Sequence, residues 1–288
     1  MIKDIRTKQI LLVTAVLLLV VFLFSRDIKG LVKPKEQTAA APANSQLTNA
    51  AAAEIDLGQV STAGKNTINA SLAKEIADLE NTYKTAQGAD QLKIAETLAQ
   101  KWDDVEQTVP SALYLEIIAK QQKSLESWLS AGGKFMKAYD NNTDSTLQMP
   151  LLQKANASYT AAVALDSTNL DAKTGLGITI VNGMGMPMQG IAMLLDVVKK
   201  DPTNPKANMN LGIFAIKSGQ FDKAIIRFKN IISSTPSPDA YFYLATAYEN
   251  LGKNQEAIDA YLSSKKLAAN PSLTKFIDNK VVELKAKI

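Results

Sequence analysis

The chain has 288 residues, 46% apolar and 21% charged, and carries a net charge of +4. It contains neither histidine nor cysteine, which excludes imidazole and thiol nucleophiles, Ser-His-Asp triads, thiolate zinc sites and disulfides. Aromatic residues are only 6% of the chain and its lysines alternate with Asp and Glu, so the basic excess reads as solvated helix faces; no nucleic-acid partner is expected, because such surfaces need clustered cations and stacking rings.

After a short tail over 1–8, residues Ile10 to Phe24 form an apolar run interrupted only by Thr14 and flanked by Lys8 and Arg26. A helix over 9–25 would be about 25 Å long at ~1.5 Å per residue, and snorkelling by Lys8 and Arg26 makes up the remainder of a ~30 Å hydrocarbon core. Ser25-Arg26-Asp27 follows directly, without the small-x-small site of a cleaved signal peptide. The segment is therefore expected to be a transmembrane signal anchor. Cations flank it on both sides, and the choice of a bacterial inner-membrane location with the C-terminal domain in the periplasm rests on the short tail before it and the large body after it.

Residues 26–66 are rich in Ala, Pro, Gln, Asn and Ser, a composition too poor in apolar groups to offset the entropy of ordering, and read as a flexible spacer with room for a short helix around Thr48 to Leu57. Over 67–145 apolar residues recur at helical spacing: Ile68, Leu72, Ile76, Leu79 and Tyr83, then Ile94, Leu98, Trp102 and Val105. A third helix is expected after Pro110, running from Leu113 through Trp128 towards Phe135 and Tyr139. Trp102 and Trp128 sit on apolar stripes and read as core anchors.

From 146 to 271 a period appears. Ala155, Gly190, Ala224 and Ala257 lie 35, 34 and 33 residues apart, and four residues after each come Tyr159, Leu194, Phe228 and Tyr261. Upstream, Leu176-Gly177, Leu211-Gly212 and Leu244-Ala245 recur, with Gly219 and Gly252 placed to end helices and Pro202 and Pro236 between units. Small residues let antiparallel helices approach closely, and the aromatic fills the groove against the next unit. Residues 272–288 read as a capping helix, with Phe276, Val281, Leu284 and Ile288 available to cover the last unit.

This pattern resembles the tetratricopeptide repeat (TPR) family, whose ~34-residue unit carries Leu-Gly in its first helix, Ala-x3-Phe in its second and Pro at the end. Asn204 to Pro236 matches it best; 67–145 is either degenerate repeats or another bundle. The whole plan of tail, anchor, spacer and repeats resembles membrane-anchored TPR proteins of Bacteroidetes-type bacteria. The resemblance implies an all-α, right-handed superhelix of antiparallel helix pairs preceded by one transmembrane helix. It also implies a non-catalytic scaffold, without cofactor or metal, that binds a protein or peptide partner in the groove lined by each unit's first helix. On matched positions that groove offers Asn182, Lys206, Met209, Asn210, Ile213, Lys217, Phe242, Thr246 and Glu249. Some TPR domains clamp a terminal carboxylate with Lys and Asn; here only Asn210 matches, with Met209 in place of the Lys. The alternative function is a self-assembling structural factor of the envelope, with 68–142 driving homo-oligomerisation.

Two further motifs fail on spacing. Gly58 to Asn66 has one residue too many for a phosphate-binding loop and no hydroxyl after its Lys. Asp140 to Asp144 opens like a calcium loop, but Ser145 and Leu151 stand where Gly and Glu are needed. Met184, Met186 and Met188 beside Pro187 are expected to fill gaps in an irregular turn.

Overall fold

A computed structural model describes residues 55–288. The expected anchor over 9–25 lies outside the described residues, and among the described residues no helix is long and apolar enough to cross a membrane.

Thirteen helices make up the described chain: α1 (Leu57–Lys65), α2 (Ala70–Thr85), α3 (Gly88–Asp104), α4 (Thr108–Gln122), α5 (Leu125–Asn141), α6 (Ser145–Leu165), α7 (Leu170–Gly183), α8 (Pro187–Lys200), α9 (Pro205–Lys217), α10 (Phe221–Ser234), α11 (Pro238–Asn250), α12 (Asn254–Leu267) and α13 (Pro271–Lys285). Their boundaries are written in capping chemistry. The side chains of Asn169, Asn204, Ser237 and Asn270 each accept a backbone N–H of the first turn, and Pro205, Pro238 and Pro271 follow where no N–H is needed. Gly219 and Gly252 take positive φ in the tight turns between paired helices.

Each helix packs on the next, and α5, α7, α9 and α11 also touch in series. First helices of successive pairs thus form one layer and α6, α8, α10 and α12 the other. The periodic residues meet where the layers cross: Ala155, Ala224, Ala257, Leu194, Phe228 and Tyr261 are all buried. A Cβ on Gly190 would lie 2.5 Å from the carbonyl oxygen of Gly177, so α7 and α8 approach at a distance only glycine permits. The core is a string of clusters shared between neighbouring helices, the arrangement expected of a repeat array.

The structure departs from the sequence reading in five places, one of them at the C-terminus: Val281 and Leu284 are buried as expected of a capping helix, but Phe276 and Ile288 are exposed. The helix expected to run from Leu113 through Trp128 is two, because Lys123 adopts a left-handed conformation and Ser124 and Ser127 form a capping box that starts α5. Ile55 to Asn66, read as the end of the spacer, belongs to the folded body. Ile55, Leu57 and Val60 pack against Leu113 and Phe135, and Ser61 and Lys65 both donate to the buried Glu80 carboxylate at 2.6 Å. Trp102 is fully buried, while Trp128 is half-buried. Met188 does not fill a gap: it is 70% exposed on the first turn of α8.

Candidate functional site

Among the clefts of the described residues, two bear on the first layer of helices. One, about 470 Å³, lies over α4 between α3 and α5. Most of its charges are engaged, Lys134 pairing with Asp103 at 2.7 Å and Gln122 donating to Glu96 at 3.3 Å, while Glu126 makes no ion pair among the described residues.

The other, about 410 Å³, is built by three successive first helices. From α5 come Met136, Lys137 and Asp140; from α7 Asp171, Ile178 and Asn182; from α9 Lys206 and Asn210. Tyr159 reaches it from behind, out of α6 in the opposite layer. This passage depends on glycine. A Cβ on Gly175 would stand 2.2 Å from the Tyr159 ring, and one on Gly132 would stand 3.0 Å away, so the ring occupies a slot between α5 and α7 that no other residue would leave.

Tyr159 is only 8% exposed and, among the described residues, its hydroxyl has no hydrogen-bond partner. Burial, with the Asp171 carboxylate as a smaller contributor, pushes its pKa up to about 12. Asp140 is exposed, and partial desolvation raises its carboxyl above the ordinary value. Among the described residues neither Asp140 nor Asp171 is in an ion pair, and neither is Lys206. The Lys137 ammonium is turned 3.6 Å from Asp103, at the far edge of α5. Asn210 donates to the Lys206 carbonyl at 2.9 Å, which leaves its own oxygen free to accept.

Of the residues assigned to the groove from the sequence, the structure brings Asn182, Lys206 and Asn210 together in this cleft. Met209 and Ile213, further along α9, are half-buried against the C-terminal core, and Lys217 is exposed in the last turn, where it complements the helix dipole. Phe242, Thr246 and Glu249 stand apart from them. Phe242 is held among Tyr243, Tyr261 and Phe276, and Thr246 donates to the Phe242 carbonyl. Glu249 accepts from the Tyr261 hydroxyl and from Lys280 of α13, each at 2.8 Å. Tyr159, Asp140 and Asp171 are absent from the sequence-derived set. Three glycines within helices, Gly132, Gly133 and Gly175, were the available signal, since each costs about 1 kcal/mol against alanine and asks for a packing reason.

The family model described as "Tetratricopeptide repeat" matches residues 215–272, which run from the end of α9 through α12 into the start of α13. That segment is similar to the tetratricopeptide repeat. The two-layered packing of helices extends beyond it. A thermophilic TPR protein of Thermus thermophilus, 17% identical, superposes with a TM-score of 0.53 over 66% of this chain and 99% of its own, a likeness of fold. Also similar are MamA, at 22% identity and TM-score 0.45 over 59% of this chain and 93% of its own, and YrrB, described as a TPR protein with an unusual peptide-binding site, at 14% identity and TM-score 0.43 over 65% and 91%. No curated protein matches the chain.

Proposed function

We propose that the chain is a membrane-anchored, non-catalytic TPR scaffold that holds a protein or peptide partner along the groove of its first helices. The reading rests on one observation above the others: α5, α7 and α9 line an open cleft in which Asp140, Asp171 and Lys206 make no ion pair among the described residues. Unpaired donors and acceptors at the wall of a groove are what an extended partner needs to fix its register. Asn182, Lys206 and Asn210 line the cleft, Met209, Ile213 and Lys217 continue the surface along α9, and Phe242, Thr246 and Glu249 form its closed end. The anchor is the apolar segment over 9–25, which would hold the repeats on the periplasmic side of a bacterial inner membrane.

The test is crosslinking of the full-length protein in its native membrane, compared with a variant carrying Asn210→Ala and Lys206→Glu. Loss of one specific crosslinked protein, with the remaining pattern unchanged, is the expected result. An identical pattern in both proteins would overturn the groove assignment. Extraction at alkaline pH checks the anchor: full-length protein stays with the membrane and a chain beginning at 26 leaves it.

Self-assembly as a structural factor of the envelope is a second reading, favoured by Phe276, Val282 and Ile288, which are exposed at the C-terminal end. A mass independent of protein concentration would remove it.

A further inference from the structure

The cleft carries more chemical information than the presence of a groove. Its occupant is constrained by three acidic or hydrogen-bonding groups that the fold leaves without partners: the Asp140 carboxyl, the Asp171 carboxylate and the Tyr159 hydroxyl. The first two are exposed carboxylates at the cleft wall without an ion pair among the described residues, and the third sits on a nine-tenths buried ring. A hydroxyl that makes no bond within the fold is open to an incoming donor, and an acid raised by desolvation gains from a cation placed beside it.

Of the two lysines that line the cleft, Lys137 lies 3.6 Å from Asp103 on α3, and Lys206 of α9 makes no ion pair among the described residues, so neither is paired with Asp140 or Asp171. The volume of about 410 Å³ accommodates one long side chain with its flanking backbone. Met136 and Ile178 supply apolar wall for a methylene stem, and Asn182 and Asn210 are placed at the rim for main-chain groups.

We propose that this cleft is a pocket for the guanidinium side chain of an arginine in the partner, with Asp171 and Asp140 as anionic acceptors and the Tyr159 hydroxyl oxygen as a third. Arginine is preferred to lysine because several acceptors converge from different helices. A planar fork with five donors satisfies them together, and its weaker hydration lowers the cost of entering a partly buried site. The assignment rests on the groove reading above and specifies the chemistry of its occupant.

The experiment uses full-length protein labelled with 3-fluorotyrosine, in which the Tyr159 resonance is identified by its loss in Tyr159→Phe. An arginine-centred heptapeptide with alanine flanks is titrated against the same peptide carrying citrulline, which keeps the shape and removes the charge, and against one carrying glutamate. The expected result is a saturable shift of the Tyr159 signal with the arginine peptide, with affinity about tenfold weaker for citrulline and reduced by a similar factor in Asp171→Asn, since one charge-assisted hydrogen bond is worth roughly that ratio. Equal response to citrulline, preference for glutamate, or no shift with any peptide overturns the assignment.

Asp140→Asn is the second variant. It lies on α5 and keeps the α7 N-terminus intact, so weakened arginine binding there with an unchanged fluorine spectrum of the free protein separates recognition from misfolding. If the crosslinked partner depends on Asn210 and Lys206 but the arginine peptide does not bind, the groove reading stands and the arginine pocket falls. If the partner is indifferent to both, the groove reading fails while the fluorine titration still decides what the cleft accepts.

Discussion

The two halves of the groove solve one packing problem in opposite ways. Aligning Leu176-Gly177, Leu211-Gly212 and Leu244-Ala245 puts Gly175, Asn210 and Tyr243 in register along α7, α9 and α11. Where that position is glycine, Tyr159 slides through the first layer and reaches the cleft. Where it is tyrosine, the equivalent Phe228 stops and stacks on Tyr243 at 5.7 Å between ring centroids. Phe242 then packs edge-on against Tyr261 and tilted against Phe276. One position in the repeat thus decides whether an aromatic from the second layer becomes part of a binding surface or part of a plug, and the C-terminal half trades openness for stability.

If that trade is real, truncating the plug must cost much. Phe228 is fully buried, and Phe228→Ala is expected to destabilise the protein by about 3–5 kcal/mol, the range for emptying a large aromatic site. Denaturant unfolding checks this. A loss below about 1 kcal/mol would mean that the C-terminal interface collapses freely around the gap and that the sealed half is no more tightly packed than the open one.

Alkaline titration probes both halves at once. Tyr159 and Tyr261 have folded-state pKa values pushed up to about 12 chiefly by burial, and Tyr114 is raised further. A raised pKa means that the folded state keeps its proton longer than the unfolded chain. The contribution of Tyr159 and Tyr261 is therefore complete below the unfolded value near 10 and is lost as pH rises through 12, an effect on the order of 1–3 kcal/mol each. The check is midpoint of unfolding against pH, with phenolate absorbance followed in parallel. Stability that rises with pH above 10 would contradict the burial of these hydroxyls.

A smaller effect distinguishes the closed end from the cleft. Glu249 binds Tyr261 and Lys280 at once, tying α11 and α12 to α13. Glu249→Gln keeps the shape and removes the charge, and is expected to cost about 1–2 kcal/mol, as a charge-assisted bond does. Asp171→Asn, in the cleft and without an ion pair among the described residues, is expected to cost less than half of that by the same comparison of denaturation midpoints.

How much of this was legible in the sequence follows from what each residue does alone. The spacing of Ala155, Gly190, Ala224 and Ala257, with the aromatic four residues later, shows the repeat because each unit buries the same surface, and those residues are the layer crossings. The break at Lys123 was hidden because the apolar period continues across it from Ile118 to Trp128, while Ser124 alone gives the capping signal. Among the groove residues, position within a first helix located Asn182, Lys206 and Asn210. It could not tell that Lys280, 31 residues further on, engages Glu249. Tyr159 carried the repeat's aromatic signature, and its second role was written in a different helix, as the missing side chain of Gly175. A property shared between two elements has no local pattern.

The finest comparison removes one oxygen from each half. Tyr261 and Tyr159 are both raised to about 12 and both belong to the same repeat position, but the Tyr261 hydroxyl donates to Glu249 and the Tyr159 hydroxyl donates to nothing among the described residues. Tyr261→Phe leaves a half-buried carboxylate short of a donor and is expected to cost about 1–2 kcal/mol. Tyr159→Phe removes a group that makes no intramolecular bond, so its effect on unfolding should stay within about 0.5 kcal/mol. Measured together by denaturant unfolding, the two substitutions form an internal control, since side-chain size and burial are nearly matched. Equal losses would mean that the Tyr159 hydroxyl is engaged by the fold itself. A neutral Tyr159→Phe beside a costly Tyr261→Phe leaves the hydroxyl of the open half available to something other than this chain's own fold.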